Sequence, residues 1–386
     1  MESLTNSTIK RIGFACKYLH EDQTQKKKVL EELQRPLTER STTVAWLNRQ
    51  TRDVAEQRLW DIMEHNAAAA KRLVEYVGSL TPELRMVRLG SNQLPCATHP
   101  DWRYFWSRPD VVAYCERAYG AAGDTARALD VRLSMHPGQF VVLASDTPEI
   151  VERSIEEFEY HANLIRYMGY GQKWQDFKCN VHISGRQGPA GIKAILPRLS
   201  REARNTITIE NDENSWGLDA SLELEKDVAL VVDIHHHWVR TGEYIDSTDD
   251  RIKRVIDSWR GVRPAMHYSS SREDLLKDHN TEVQPSMGQL LEHGYKKQKL
   301  RAHSDYMWNT ACNDWALSFW NDFDIMVESK AKNLSSIELY NCAVKTGVIQ
   351  ENAYTPRELD PSTSSEYVSG TLPASQLWQS GIVEVV

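Results

Sequence analysis

Acidic and imidazole side chains stand at the ends of short apolar runs in this sequence. The clearest run extends from Val228 to Asp233 and is followed by three consecutive histidines, His235 to His237. A run of β-branched and aliphatic residues predicts a strand that is buried on both faces. A carboxylate beside several imidazoles supplies the oxygen and nitrogen ligands that divalent transition metals bind. We therefore expect a metal-ligating group at the end of this strand.

Other apolar runs end in the same way. The six side chains that close them are His136, His182, Glu210, Asp233, His267 and Glu328, and His303 follows in a polar insertion. One such residue alone is more often a hydrogen-bonded core histidine or a capping carboxylate. Several carboxylates that meet in one place, however, require a compensating positive charge. The pattern predicts a site for two or three metal ions, and its ligand types favour Mn²⁺ or Zn²⁺, with Mg²⁺ as the alternative.

The elements that position these residues alternate between strands and helices. We predict eight strands, at residues 12–16, 86–90, 131–136, 177–182, 206–210, 228–233, 264–267 and 323–328. Helices are predicted up to Gly78, over 109–122, from a cap at Thr147 to Gly169, and through Leu334 to Val344. Residues 21–42 are charged and irregular, which indicates a surface excursion. The alternation predicts a TIM-type (β/α)8 barrel over residues 1–350, with a tail over 351–386 and the metal cluster at the C-terminal face of the strands.

Composition limits the class of protein. The chain has 386 residues, 41% of them hydrophobic, and a formal net charge of −8, which argues against non-specific coating of nucleic acid but allows a local basic groove. The six cysteines show no paired spacing, which is typical of reduced thiols. The N-terminus lacks the features of a signal peptide, and no apolar run is long enough to span a bilayer. We expect a soluble monomer in the cytoplasm, or in the nucleus of a eukaryote, that is not secreted.

The remaining histidines are not expected to bind metal. They lie in predicted helices or in polar loops: His65, His161, His20, His99, His279 and His293. Within the triple-histidine run, His235 and His237 are candidates for hydrogen-bonding partners of the ligands rather than for ligands.

Several segments together resemble one family, the UV damage endonucleases, which are related in fold to endonuclease IV and the sugar isomerase barrels. The resemblance covers about residues 10–345, in the family's order. It rests on Ile12-Gly-Phe-Ala-Cys16, Arg132-Leu-Ser-Met-His-Pro-Gly-Gln139, Asn180-Val-His182, Glu210-Asn211-Asp212, Asp233-Ile-His-His236, Met266-His267-Tyr-Ser269, His303-Ser-Asp305 and Asp324-Ile-Met-Val-Glu328-Ser-Lys-Ala-Lys332.

The resemblance implies a centre of three ions, usually Mn²⁺. Its ligands would be His136, His182, Glu210, Asp233, His236, His267, His303 and Glu328, with catalytic roles for Glu210, His136 and Glu328. It also implies ATP-independent incision of double-stranded DNA immediately 5′ of a UV lesion or abasic site. The incision leaves a 3′-hydroxyl.

DNA contacts are implied in the same way. The residues that would probe the lesion are Gln139, Phe140 and Phe14, and weaker candidates for contacts with the DNA backbone are Lys17, Ser91, Asn92, Arg186 and Arg272. A flat ring can fill the gap that remains when a damaged dinucleotide leaves the stack. The alternative for Phe140 is ordinary core packing ahead of Val141. Further cations, at Lys296, Lys297, Lys299 and Arg301, precede His303.

Two positions depart from the family pattern. Phe140 stands where Tyr is common, and Ala265 stands where the family carries a lysine two residues before a metal-binding histidine. Two other functions therefore remain open. One is a metal-dependent sugar isomerase or epimerase barrel, which also gathers these residue types but needs a base for an enediol. The other is a barrel that binds damaged DNA without cutting it.

Overall fold

The eight predicted strands are all present in the computed structural model of the protein, which describes residues 9–351, 353 and 354. Their bounds are Ile12–Ala15 (β1), Met86–Arg88 (β2), Arg132–Met135 (β3), Lys178–His182 (β4), Ile207–Glu210 (β5), Ala229–Val231 (β6), Ala265–Tyr268 (β7) and Asp324–Val327 (β8). The predicted ends differ from these by two residues at most. Apolar runs located the strands well because each strand is buried on both faces.

The strands form one parallel sheet that curves into a barrel. Their order is β6-β5-β4-β3-β2-β1-β8-β7, so β6 and β7 meet at the closing seam. An isolated parallel bridge joins Asp233 to His267 there, and the His267 amide donates to the Val232 carbonyl at 3.0 Å. Two of the predicted metal ligands therefore lie at the seam where the barrel closes. The predicted barrel class is confirmed.

Helices surround the sheet. Those in the described residues are Lys27–Gln34 (α1), Val44–Leu47 (α2), Arg52–Gly78 (α3), Arg103–Trp106 (α4), Pro109–Ala128 (α5), Pro148–Tyr167 (α6), Gly188–Ile195 (α7), Arg201–Thr206 (α8), Leu218–Leu222 (α9), Ile234–Thr241 (α10), Asp250–Ser258 (α11), Met287–Glu292 (α12), Lys297–Leu300 (α13), Thr310–Leu317 (α14) and Asn333–Lys345 (α15). Among the described residues, no helix is both long and apolar enough to cross a membrane.

Two local predictions need correction. Residues 21–42 are not irregular throughout, because α1 lies within them; it buries none of its residues, so it carries no apolar stripe of the kind that reveals a core-facing helix. Thr147 is the N-cap residue of α6, but its side chain accepts no capping hydrogen bond. Pro148 at the first helical position, with its fixed φ, is sufficient to start this helix. The predicted tail lies outside the described residues from position 355 onward.

Polar side chains of β4 face the interior of the barrel, beside apolar ones such as Met86 and Met326. Because side chains alternate across a strand, Lys178, Asn180 and His182 of β4 all face the same way, into the barrel. At the opposite end of the barrel from the histidines, fully buried Asp324 accepts hydrogen bonds from Arg132 at 2.6 Å and from Arg263 at 2.7 Å. The C-terminal ends of the strands are therefore left to the histidines and the remaining acids.

Candidate metal centre

Glu210 is at the centre of the cluster. It ends β5 and is fully buried. Its Oε1 lies 3.0 Å from Nδ1 of His267 and 3.4 Å from Nδ1 of His236, while its Oε2 lies 3.3 Å from Nε2 of His136 and 3.7 Å from Nε2 of His182. Each carboxylate oxygen thus faces two imidazoles. This arrangement suits a carboxylate that bridges two cations.

Seven of the eight predicted ligands meet in three overlapping groups. The groups are His136 with His182 and Glu210, Glu210 with Asp233 and His236, and Asp233 with His267 and Glu328. Within each group the candidate ligand atoms lie within 4.8 Å of one another. Glu210 and Asp233 each belong to two groups, so the three groups form a continuous chain of candidate sites across the barrel mouth.

His303 is close to this chain but belongs to none of the three groups. Its ring lies 6.2 Å from the ring of His235, centroid to centroid, and it lines the same cavity as His236. An isolated antiparallel bridge to Ser271 fixes its backbone. The structure therefore places His303 beside the candidate centre, at the edge that opens to the cavity.

Burial and neighbouring charge act in opposite directions on the acids. Burial raises the pKa of Glu210, but the positive charge of His267 and the other imidazoles outweighs it, and the pKa falls well below the usual range. Asp233 behaves differently, because burial, reinforced by repulsion from Glu210 and Glu328, raises its pKa to about 7. Its Oδ2 is buried and has no hydrogen-bond partner among the described residues. This donor set fits divalent cations, which would supply the missing counter-charge.

Two histidines are oriented by oxygen acceptors. Nδ1 of His136 lies 2.8 Å from the Pro137 carbonyl, and Nδ1 of His182 lies 3.1 Å from Oδ2 of Asp212. Each acceptor favours a proton on Nδ1, which leaves the Nε2 lone pair directed at Glu210. Asp212 therefore acts through His182. Its place two residues after Glu210 was visible in the sequence, but its partner was not.

His267 is held in the reverse orientation by a lysine. Its Nδ1 faces Glu210 and also lies 3.2 Å from Glu328, while its Nε2 lies 2.6 Å from Nζ of Lys178. A cation can bind Nδ1 only when Nε2 carries the ring proton, and Lys178 must then be a neutral amine that accepts the hydrogen bond from this N–H group. Burial lowers the pKa of Lys178 to about 7. Strand β4 thus places a lysine beside His267, whereas Ala265 of β7, two residues before this histidine, provides none.

Sequence analysis did not identify Lys178 or Arg88. The guanidinium of Arg88, at the end of β2, forms an ion pair with Oε1 of Glu328. Period-two alternation from His182 back to Lys178 could have shown that both side chains face the barrel interior. Ser91, a candidate for contact with the DNA backbone, donates from Oγ to the His136 carbonyl at 2.9 Å.

The lesion-probing candidates fall into two classes. Phe140 is 85% exposed on the loop after β3, so core packing does not explain it, and Gln139 beside it is also exposed. Phe14 is only 1% exposed and packs in the hydrophobic core as part of β1. The expectation that Phe14 contacts DNA is therefore wrong for this structure, since its ring cannot reach a ligand.

The cationic candidates lie on loops at the same face of the barrel. Lys17 and Asn92 are exposed, Arg186 pairs with Asp146 at 3.1 Å, and Arg272 pairs with Asp274. A cavity of about 590 Å³ opens beside the candidate centre. Its polar lining includes Gln139, Glu213, His236, Arg272, Lys299, Arg301 and His303. Three cations and two acids, Asp274 and Glu213, thus line the cavity, and Arg272 and Arg301 are paired with those acids.

A parallel (β/α)8 barrel with imidazoles and carboxylates at its C-terminal strand ends belongs to the class of barrel enzymes that carry their active sites at that face. Comparison with known families identifies one family within this class. Residues 11–353 match the family described as UV-endonuclease UvdE, and the chain belongs to that family.

Individual relatives agree with this assignment. The chain is 27% identical to a UV-damage endonuclease of Neurospora crassa over 72% of its own length, which is 40% of that relative, so it spans less than half of the Neurospora protein. It is 24% identical to a UV DNA damage endonuclease of Bacillus thuringiensis over 73% of this chain and 82% of that one. The crystal structure of SacUVDE shares the fold, with a TM-score of 0.65 and 22% identity over 88% of this chain and 100% of that one.

Proposed function

We propose that this protein is a DNA repair endonuclease. It cuts double-stranded DNA immediately 5′ of UV photoproducts and related lesions, without ATP, at a centre of two or three divalent ions. The observation that carries the proposal is the chain of three overlapping ligand groups at the barrel mouth, beside an exposed aromatic ring. Family membership supports the nuclease class.

The residues that would hold the ions are those of the three groups, with His303 at the cavity edge. An imidazole-rich and carboxylate-rich set without cysteine favours Mn²⁺, and Zn²⁺ or Mg²⁺ are the alternatives. When bound, such ions supply an activated water and stabilise the leaving oxygen of a phosphodiester.

The protein groups prepare this centre before DNA arrives. Glu210 faces four imidazoles with its two oxygens and so connects the groups. Arg88 fixes the carboxylate of Glu328, while Asp212 and Lys178 orient the rings of their histidine partners. Ligands that are held in place by such partners lose little freedom when they bind, which improves affinity and precision.

DNA would approach across the cavity face. Phe140 projects from the loop after β3 and offers a ring that can stack on bases, and Gln139 connects that loop to the cavity. Lys299, Arg301 and Arg272 line the same cavity and can contact phosphates. A damaged dinucleotide costs less to unstack than an intact one, so a wedge at this position selects lesions.

The test is incision of a duplex oligonucleotide that carries one cyclobutane dimer, with Mn²⁺ and with EDTA. We expect a single Mn²⁺-dependent cut directly 5′ of the dimer, with multiple turnovers. Binding of the damaged duplex without a cut would indicate a damage-binding protein instead. A protein that neither binds nor cuts the damaged duplex would contradict the proposal and reopen the sugar isomerase alternative.

Glu210→Gln and His136→Ala should each abolish incision, because both remove a ligand at the centre of the cluster. Circular dichroism and the urea midpoint, measured with chelator, should remain close to wild type. The exposed Glu223→Gln is the matched control and should cut normally. Full activity of Glu210→Gln would contradict the ligand assignment.

A further inference from the structure

We propose that Glu213 is an additional metal ligand, paired with His236, and that Arg301 is the positively charged neighbour of its carboxylate. The inference rests on the metal centre proposed above and extends it to the wall of the cavity. Glu213 lies in the loop after β5, three residues beyond Glu210, and its side chain is 9% exposed.

The two ring nitrogens of His236 face different neighbours. Nδ1 lies 3.1 Å from the backbone carbonyl oxygen of Asn211 and 3.4 Å from Oε1 of Glu210. Two lone pairs at 3.1 Å would repel each other, so the carbonyl requires a proton on Nδ1. In the neutral ring the lone pair is then on Nε2, so His236 would bind a cation through Nε2 and not through the Nδ1 that faces Glu210. That atom lies 3.6 Å from Oε2 of Glu213.

This separation is too long for a direct hydrogen bond and fits two ligands of one ion. Nitrogen and oxygen ligands lie about 2.0–2.2 Å from a transition metal, which places two neighbouring ligand atoms roughly 3–4 Å apart. The pairs of candidate ligand atoms around Glu210 have the same spacing, 3.0 to 3.7 Å. Glu213 and His236 therefore have the geometry of the central ligands, on the side that opens to the cavity.

The other oxygen of Glu213 fixes the side chain. Oε1 accepts a hydrogen bond from the side-chain amide of Asn214 at 2.7 Å and from Nη1 of Arg301 at 3.0 Å. Asn214 and Arg301 bind Oε1, which leaves Oε2 facing His236. Arg301 is half exposed at the cavity, so its positive charge adjoins the candidate site.

A ligand and a plain ion-pair partner predict different results. If Glu213 serves only to anchor Arg301, the two variants change metal affinity only through the charge that each removes: Glu213→Gln weakens it slightly, Arg301→Gln strengthens it slightly, and added salt reduces both effects. If Glu213 is a ligand, Glu213→Gln removes an oxygen donor. It should then lose a bound ion or a large part of the affinity at one site, and changing the salt concentration should not restore it.

The experiment is a titration of the chelator-treated full chain with Mn²⁺. Binding is measured by calorimetry and by the electron paramagnetic resonance signal of free Mn²⁺. We expect Glu213→Gln to lose one bound ion, or to weaken one site by at least about tenfold, which is the lower range for disturbed metal partners. Arg301→Gln should bind at that site as tightly as wild type or more tightly.

The matched control is the ion pair between Arg254 in α11 and Glu225, which precedes β6. Nε of Arg254 and Oε2 of Glu225 are 2.6 Å apart. Glu225→Gln and Arg254→Gln should titrate like wild type. A Glu213→Gln variant with unchanged affinity and ion count overturns the inference while the proposed centre stands. Absence of Mn²⁺ binding by the wild-type chain overturns both.

Discussion

Phe140 gives a residue-scale test of lesion recognition. A ring that is 85% exposed contributes little to folding, so Phe140→Ala should leave stability and Mn²⁺ binding unchanged. Stacking of a base on an aromatic ring contributes about 1–3 kcal/mol, so the preference for damaged over undamaged duplex should fall by at least about fivefold. Competition binding with the two duplexes measures this. Val283→Ala, at another exposed apolar residue, is the control, and an unchanged preference in Phe140→Ala would contradict the wedge.

Lys178 gives a second test at the same scale, since its amine must accept a hydrogen bond from Nε2–H of His267 when a cation occupies Nδ1. Lys178→Met removes the acceptor and should weaken Mn²⁺ binding by roughly 10–100-fold. Lys178→Arg should weaken it as well, because guanidinium only donates. Calorimetric titration measures both. Wild-type affinity in Lys178→Arg would show that the lysine acts as a donor and contradict this orientation of His267.

The sequence identified the candidate ligands because each follows an apolar run, and a parallel barrel collects such positions at one face. It could not identify their partners. Lys178 is 89 positions from His267, and only the closed barrel brings the two together. The contact of Glu213 with Arg301 depends on the path of the insertion between β7 and β8, where no periodic pattern exists. Phe14 was assigned wrongly because the apolar run of β1 does not reveal whether this side chain faces the core or a ligand.

At the scale of elements, the longest helices could be predicted, whereas α7, α11 and α14 were missed although each buries several residues. The stripe of α6 places His161 in the core, where its Nδ1 donates to the Glu157 carbonyl at 2.8 Å and its ring is fully buried. Sequence analysis left this histidine without a metal role, which agrees with its surroundings. In α1, by contrast, no residue is buried, so the sequence has no apolar stripe from which this helix could have been predicted.

His161 should make the fold sensitive to acid. Burial lowers its pKa to about 4, below the value of about 6.5 expected in the unfolded chain. The unfolded state therefore binds more protons as the pH falls, so the stability that neutral His161 allows is complete above pH 6.5 and is lost progressively toward pH 4. Between pH 7.5 and 5.0 the loss from this group is about 2 kcal/mol.

Urea unfolding of His161→Leu at the two pH values, with chelator present, measures this contribution. The variant should lose less stability on acidification than wild type. His293→Leu is a matched control, because His293 of the α12 C-terminus makes the same hydrogen bond to a carbonyl four residues earlier but is exposed. Equal acid sensitivity in wild type and His161→Leu would exclude this histidine as the source.

At the scale of the whole molecule, the barrel interior carries opposite charges at its two ends. Acids and imidazoles occupy the C-terminal ends of the strands, whereas arginines surround one buried acid, Asp324, at the N-terminal ends. The backbone amide of Arg11 also donates to Asp324, at 2.9 Å. This separation leaves one end of the barrel to hold the fold together and the other to bind cations.

The separation predicts that stability and metal binding can be changed independently. Asp324→Asn removes the charge that neutralises Arg132 and Arg263. Removal of one partner of a buried ion pair lowers the free energy of unfolding by about 3–5 kcal/mol. The urea midpoint should fall accordingly, while Mn²⁺ affinity of the folded fraction stays at the wild-type value. Asp322→Asn, exposed two residues earlier, should change neither. A loss of Mn²⁺ affinity in folded Asp324→Asn would show that the two ends are coupled through the interior of the barrel.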